Sequence, residues 1–384
     1  LYSSAASDVY KRQVLGGGLS GLTLAYELNK QGCLENKTLC ILEKRKEYSR
    51  DKSWSYWDFE NNKFPDCVIG SWDAFSITLN QKTINISCPQ SPYRTIDSKK
   101  FYDFVTEQLK SNDNIVTIMD CAIQTIEGHA IHTNKGDYFG KVIYDSLIDL
   151  DHQTPTMYQH FFGCEVETDS DCFNENIVDL MNFDCPQDGG LHFFYTLPFS
   201  KDKALIETTW YSKTIRKQSE YQNEIDHYLR EKNIKGNITY SEYGAIPLNL
   251  TKNNKESSSS KDYIKIGSAG GLTRASTGYA FQAIQSFSEQ LASNLKLDRK
   301  LTVPNIRHKK YDFLDEIFLS VMEYEHKSMP IIFFNLFKNS DSITTISFLS
   351  DRSNWIQDLK VILSMPKLIF IKTLILNIYK KIIK

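Results

Sequence analysis

Residues 14–21 read VLGGGLSG, and Gly16, Gly18 and Gly21 fit the spacing GxGxxG. Leu19, Leu22, Ala25 and Leu28 follow at helical spacing, so the loop sits between the end of a strand and the start of a helix. Gly16 permits a tight turn. Gly18 lets backbone approach a pyrophosphate, and Gly21 lets the helix pack close to the sheet. Unpaired N–H groups at the helix start suit phosphate oxygens. The next apolar run, TLCILE at 38–43, ends in Glu43, about 22 residues beyond Gly21. A carboxylate there suits the hydroxyl pair of a ribose and disfavours a 2'-phosphate. Loop, helix and acid-ended strand together predict a Rossmann-type, dinucleotide-binding α/β domain.

A second glycine-rich stretch bears on which dinucleotide. In YIKIGSAGGLTRASTGYAFQAIQ, residues 263–285, Tyr263, Ile264 and Ile266 read as a strand and Gly267, Gly270 and Gly271 as a permissive turn. Helical spacing resumes at Tyr279 with Ala280, Ala283, Ile284 and Phe287. Two such loops suit a long, two-ended cofactor, which favours FAD over NAD alone. The plainer reading is an ordinary strand, loop and helix. Arg274 in this stretch reads either as a contact to flavin or phosphate or as a salt bridge.

The segment before the first loop is poor strand material. LYSSAASDVYKRQ leaves only Val14 and Leu15 as apolar positions next to Gly16, where a buried strand should offer about four to six. It reads as a foreign leader joined to a truncated start, or as a weak edge of a strand.

The chain has 384 residues, enough for a large core and two interlocked domains. Its 45 basic and 47 acidic residues give a net charge of -2 and no electrostatic case for a nucleic-acid partner. Eight cysteines without a CxxC pair point to a reducing compartment. The histidines form no HExxH, and no metal site is expected. No apolar run reaches the roughly 18 to 20 residues of a spanning helix, and no signal peptide is visible.

The pattern divides the chain into interleaved units. Residues 14–60, 97–150 and 260–296 are expected to build the cofactor domain, with DSKKFYDFVTEQLK as a helix and FGKVIYDSLI, 139–148, as a returning strand. Residues 71–88 alternate as strands and 191–211 read as a hairpin, so 61–96 and 151–255 are expected to form a largely antiparallel sheet roofing the flavin. KNNKESSSSKD, 252–262, reads as a solvated loop. Residues 301–384 read as a helical end. Its last stretch, VILSMPKLIFIKTLILNIYKKIIK, is lysine-rich and acid-free, with Pro366 as a break. It reads as a membrane-surface helix, or as a core helix with a basic last turn.

Several blocks resemble the lycopene cyclases, in their bacterial-type β-cyclase group: VLGGGLSGLTLAYEL, DKSWSYWDF at 51–59, FFYTLPFSKDKALIETTWY at 193–211, YGAIPL at 243–248 and IGSAGGLTRASTGYAFQAIQ at 266–285. The resemblance runs through about 14–295. It implies a two-domain flavoprotein of the aromatic-hydroxylase sort and an acid-catalysed ring closure of a linear carotenoid such as lycopene. The closure is an isomerisation without net redox change that needs reduced FAD, with NAD(P)H as electron source. It also implies a peripheral enzyme of carotenoid biosynthesis on the cytoplasmic face of a bacterial-type membrane, a plastid being the other setting. Other enzymes of that pathway would be neighbours. The family's catalytic glutamate falls on Glu207. Thr208 stands where the family commonly has a second acid, and Asn182 where it often has aspartate.

The residues around Glu207 suit that chemistry independently. Ring closure needs a proton placed on an alkene carbon, and a carboxylic acid kept neutral by burial can supply it. Alternation puts Leu205, Glu207 and Thr209 on one face of a strand and Ile206, Thr208 and Trp210 on the other. Trp54, Tyr56 and Trp57 read as lining for a polyene channel or as plain core, and Asp58 as a polar support. The rival readings are an FAD-dependent monooxygenase or polyprenyl reductase, and an inert flavoprotein-like scaffold. The residues leave open β or ε rings, and closure of one end or both.

Overall fold

The computed structural model describes residues 8–59, 63–148, 155–248, 262–298 and 302–383. In chain order, β1 (Asp8–Leu15), α1 (Leu19–Lys30), β2 (Leu39–Leu42), β3 (Ser53–Trp57), β4 (Val68–Trp72), β5 (Ala74–Leu79), β6 (Lys82–Ser87) and β7 (Tyr93–Asp97) come first. Then follow α2 (Ser98–Lys110), β8 (Ile115–Ile118), β9 (Ile123–Glu127), β10 (Ala130–Thr133), β11 (Gly136–Asp145), β12 (Met157–Thr168), β13 (Val178–Asn182), β14 (Leu191–Ser200) and β15 (Lys203–Ser212). The remainder is α3 (Gln218–Glu231), β16 (Gly236–Leu248), β17 (Tyr263–Lys265), α4 (Phe281–Asp298), α5 (Lys309–Tyr324), α6 (Met329–Asn339), α7 (Ser342–Leu349), α8 (Trp355–Ser364) and α9 (Lys367–Ile383).

Apolar runs without alternation build the first sheet. LCIL of β2 is buried throughout, as strands covered on both faces must be. The strands β8, β2, β1 and β11 lie side by side in parallel, with β17 also parallel to β11 and the β9–β10 hairpin on the same edge. α1, α2 and α4 pack on this sheet through Leu22, Leu28, Phe101, Val105, Ile284 and Leu291. Asp97 caps α2 by accepting from the Lys100 N–H, which stops the preceding strand and starts the helix.

The first strand departs from expectation. It is eight residues long and runs between β2 and β11, so it is central rather than an edge. Its two neighbours supply the backbone hydrogen bonds that its own side chains do not recommend. Gln13 is consequently fully buried, and neither its Oε1 nor its Nε2 has a hydrogen-bond partner. Residues 1–7 of the odd leader lie outside the described residues, as does most of the 252–262 loop.

The second sheet has the order β16-β12-β15-β14-β13-β5-β6 and is antiparallel except where β13 runs parallel to β5. The stretch 61–96 divides: β5 and β6 join this sheet, while β7 pairs with both β3 and β4 in a small separate sheet. α3 covers one face of the large sheet through Tyr221, Ile225 and Tyr228. The opposite face shares a core with the C-terminal helices. Phe333 and Phe337 of α6 are buried there, and Phe337 meets the Phe75 ring edge-on at 5.5 Å. The helical end is thus in large part core. α8 and α9 are separated at Pro366, as expected of a residue without an N–H. No helix among the described residues is long and apolar enough to cross a membrane.

Candidate active site

The three sheets leave a cavity of about 740 Å³ between them. Its lining runs from the first glycine loop to the large sheet and includes Gly16, Gly18, Glu43, Arg45, Glu207 and Glu242.

At the loop end, geometry follows from the absence of side chains. Gly16 has φ +91°, and a Cβ on it would fall 2.4 Å from Ser146 Oγ. A Cβ on Gly21 would fall 2.0 Å from the Gly16 carbonyl oxygen, so α1 lies directly against the turn. A Cβ on Gly18 would approach only Arg45, at 3.7 Å, and would project into the cavity. Gly18 caps α1 without a side-chain hydrogen bond, and no acid stands in the helix's first turn. Its first N–H groups therefore face the cavity with no acid of the helix's own first turn competing for them.

Glu43 sits beside this loop with both carboxylate oxygens engaged. Oε2 accepts from Gly17 N–H at 2.7 Å and from Arg45 Nη2 at 3.1 Å. Oε1 accepts from the Arg45 backbone N–H and Nε at 2.8 and 3.0 Å. Burial works against its charge, but the Arg45 and Gly17 donors prevail and hold its carboxyl below the usual range. Arg45 also lies over the rings of Tyr48 and Tyr102, at 5.0 and 4.8 Å. No local pattern of residues singles out Arg45 beforehand.

The second glycine loop shapes the site from behind. Gly267 has φ +63° and packs on Ser20, which lines the cavity. Gly270 packs against the Lys265 carbonyl, and Gly271 has φ +74°. Neither Gly270 nor Gly271 lines the cavity; Thr273 and the segment 276–281 do. Arg274 faces away from the cavity. It is buried against Asp315 of α5 at 3.2 Å and Asp351 at 3.3 Å, which favours the salt-bridge reading. Trp54 and Trp57 line the cavity, while Tyr56 stacks on Phe281 at 4.7 Å. Asp58 pairs with Arg94 at 3.1 Å.

The large sheet supplies the carboxylates. Glu207 on β15 stands opposite Gly163 of β12 and Tyr195 of β14. Glu207, Thr209 and Tyr211 face the cavity, while Ile206 and Trp210 face α3. Burial, with a smaller push from Glu242, raises the Glu207 carboxyl to about 8 against the single hydrogen bond from Thr209. It is therefore largely a neutral acid at pH 7.

Glu242 on β16 went unnoticed in the sequence. It also stands opposite Gly163, from the other side. Residues directly opposite in an antiparallel pair share a face, so the two glutamates flank a glycine on one level of the sheet, about two strand spacings or ~10 Å apart at Cα. A Cβ on Gly163 would meet Leu205, Glu242 and Glu207 at 3.3, 3.4 and 3.6 Å. Glu242 Oε2 accepts from Tyr240 Oη at 2.8 Å and Ser53 Oγ at 2.9 Å. Burial raises its carboxyl too, opposed by those two donors and by Lys52 and Arg50. The signal available beforehand was its place next to YGAIPL.

Both departures from the family pattern lie off the cavity. Thr208 Oγ1 donates to Glu224 at 2.6 Å and lies 2.8 Å from His192 Nε2, on the α3 side. Trp210 is held there between the His192 ring at 3.9 Å and the Arg216 guanidinium at 3.6 Å. Asn182 donates to Asp179 and accepts from Asp184 N–H, which organises a turn. No cluster of potential metal ligands occurs among the described residues.

Comparison with known proteins agrees with this architecture. The chain is 20% identical over 293 residues to a lycopene beta-cyclase of Pantoea ananas, covering 74% of each chain. A geranylgeranyl bacteriochlorophyll reductase-like structure from Thermoplasma acidophilum superposes with a TM-score of 0.63 at 12% identity, over 96% of this chain and 99% of that one. A flavin-dependent halogenase from Xanthomonas campestris gives 0.56 at 10% identity, over 91% and 82%. These likenesses show the fold, that of the aromatic-hydroxylase-like flavoproteins. The family model described as lycopene cyclase protein matches residues 13–374, and the chain belongs to that family.

Proposed function

We propose that the chain cyclises the linear ψ-end groups of lycopene to β-ionone rings, giving γ-carotene and then β-carotene, as an isomerase that works with FAD in its reduced state. The observation that carries this reading is the cavity that joins the Gly18 loop to a buried, neutral Glu207. Glu207 gives its proton to the terminal alkene. The resulting anion, and the π-faces of Trp57, Tyr93, Phe193, Tyr195 and Tyr211 around the cavity, stabilise the cation. Dry walls keep water from trapping it.

The residues at the loop fit FAD. The open Cβ direction of Gly18 and the uncapped start of α1 suit its pyrophosphate, and Glu43 suits its ribose once Arg45 yields part of its grip. Gly267 sets the second loop against Ser20 of the first, while Gly270 and Gly271 let that loop turn. When bound there, FAD would supply a reduced, electron-rich ring, with NAD(P)H as the source of its electrons. Glu207 and its neighbours do the proton chemistry.

The substrate class implies a lipid surface, and α8 and α9 suit one. Trp355, Leu363, Leu368, Ile371 and Ile375 are exposed. This supports peripheral contact with a lipid surface; the cytoplasmic side and the neighbouring carotenoid-pathway enzymes follow only from the proposed substrate class.

The likeness to a reductase-like protein favours a second reading, flavin-dependent redox chemistry on a polyprenyl chain. One experiment separates the two. Lycopene is supplied with chemically reduced FAD, and products are resolved by chromatography and absorption while nicotinamide use is followed. A cyclase yields rings with almost no nicotinamide consumed. Nicotinamide consumed in proportion to product would replace the cyclase reading with the redox one.

A further inference from the structure

Cyclisation gains one proton and must lose another, so an acid alone does not complete it. Glu207 and Glu242 flank Gly163 on one level of the sheet and line the same cavity. Their surroundings differ in kind. Glu207 receives a single side-chain donor, Thr209. Glu242 receives two, Tyr240 and Ser53; Lys52 lies near both carboxyls, and Arg50 adds a second cation at Glu242 alone. Lys52 Nζ also donates to the adjacent Tyr243 carbonyl, and Arg50 also pairs with Glu165 and Asp97. Glu242 in turn opposes a charge on Glu207. Pairs of carboxyls placed in such unlike settings divide acid and base roles between them.

We propose that Glu242 is the base of this site, removing the proton that the closing ring must lose while Glu207 supplies the one it gains. This rests on the cyclase reading above. In the first step the Glu207 O–H bond breaks and its proton bonds to the CH carbon of the terminal alkene, leaving a tertiary cation at the dimethyl carbon. The electron pair of the neighbouring alkene forms the ring C–C bond and leaves a cation on a ring carbon. A C–H bond beside that cation breaks, its pair becomes the ring double bond, and its proton goes to a Glu242 oxygen. Atoms and charge balance without oxidant or reductant. Between turnovers the proton returns to Glu207, across Gly163 or through solvent. Which adjacent C–H faces Glu242 then decides which ring isomer forms.

The test compares the full-length wild type, Glu242→Gln and Tyr240→Phe, each with chemically reduced FAD and lycopene in vesicles, in D2O. Glu242→Gln is expected to keep its flavin and form rings about 100-fold more slowly. Its unreacted lycopene should gather deuterium, because the protonated end group reverts by handing a proton back to Glu207. Tyr240→Phe removes one donor from Glu242, so the acid limb of the pH–rate profile should move upward while the alkaline limb stays. A Glu242→Gln enzyme with the wild-type rate and ring isomer overturns the proposal. Lost ring formation without deuterium in lycopene also overturns it, since protonation itself would then have failed. Should Glu242→Gln not fold, the Tyr240→Phe profile decides alone, and an unmoved acid limb counts against the base. A wild type that leaves lycopene unchanged sinks the cyclase reading itself, whereas a Glu242→Gln that matches an active wild type, or that forms no rings and puts no deuterium into lycopene, sinks only this step.

Discussion

Glu207 holds its proton because the sheet removes it from water and offers it one hydroxyl in exchange. Glu207→Gln keeps size and polarity but has no acidic proton. It is expected to fold, bind flavin and cyclise lycopene at least roughly 100-fold more slowly; a near wild-type rate would remove Glu207 from the mechanism. The same carboxyl sets a pH dependence. Its folded value, about 8, lies above the ordinary 4.5, so the folded state binds the extra proton. Its contribution to stability is therefore full below about pH 4.5 and is lost as pH rises through about 8. Urea melts of the wild type should weaken across that window relative to Glu207→Gln, and ring formation should fall above it. At the other end of the cavity, Gly18→Val puts a branched side chain where backbone now faces open space. Purified Gly18→Val should carry little flavin by absorption; a full complement would move the pyrophosphate elsewhere. Glu207 and Gly18 could be singled out in the sequence as lining this cavity, Gly18 by its glycine spacing and Glu207 by a lone carboxylate in an apolar strand together with the family resemblance. Glu242 could not, since its partnership depends on both strands pairing with Gly163 from opposite sides.

Elements were legible where periodicity and neighbours agreed. The helix after the glycines, the acid-ended β2, the β14–β15 hairpin and the alternation that turns Glu207 away from Thr208 all followed from spacing alone. β1 did not, because its pairing to β2 and β11 outweighs its polar side chains. That conflict carries a prediction. Gln13 is buried without partners for either amide atom, and burying such a group costs about 1–3 kcal/mol. Gln13→Val offers a β-branched side chain to a central strand. It should raise the urea midpoint by an amount worth about 1–3 kcal/mol at unchanged m-value. A lower midpoint would mean that Gln13 has a water or other partner that the substitution removes. The C-terminal helices were legible as helices but not as core. Their docking depends on Arg274, whose partners Asp315 and Asp351 are 41 and 77 residues further along the chain.

At the scale of the whole molecule, the cavity and the exposed apolar helices must serve one substrate, if that substrate is dissolved in a bilayer. Charge alone does not bring the protein there, since its net charge is -2. A local surface has to do so. α8 and α9 present Trp355 at 73%, Leu368 at 83% and Ile375 at 61% exposure. Removing 361–384 outright would be a poor test, because Val361, Met365 and Thr373 are buried in the core. Point changes on the exposed positions are cleaner. Each large apolar side chain that enters the lipid boundary contributes up to about 1.5–3 kcal/mol, roughly ten-fold or more in partitioning. Nearby lysines add about 1 kcal/mol each, weakened by salt. The triple variant Trp355→Asp, Leu368→Asp and Ile375→Asp should therefore lose most binding to anionic vesicles in flotation assays, at both low and high salt. It should keep its flavin, and it should still act on lycopene presented in detergent while losing activity on lycopene in vesicles. Vesicle binding equal to wild type would show that these helices face something other than lipid, and that substrate enters the cavity by another side of the molecule.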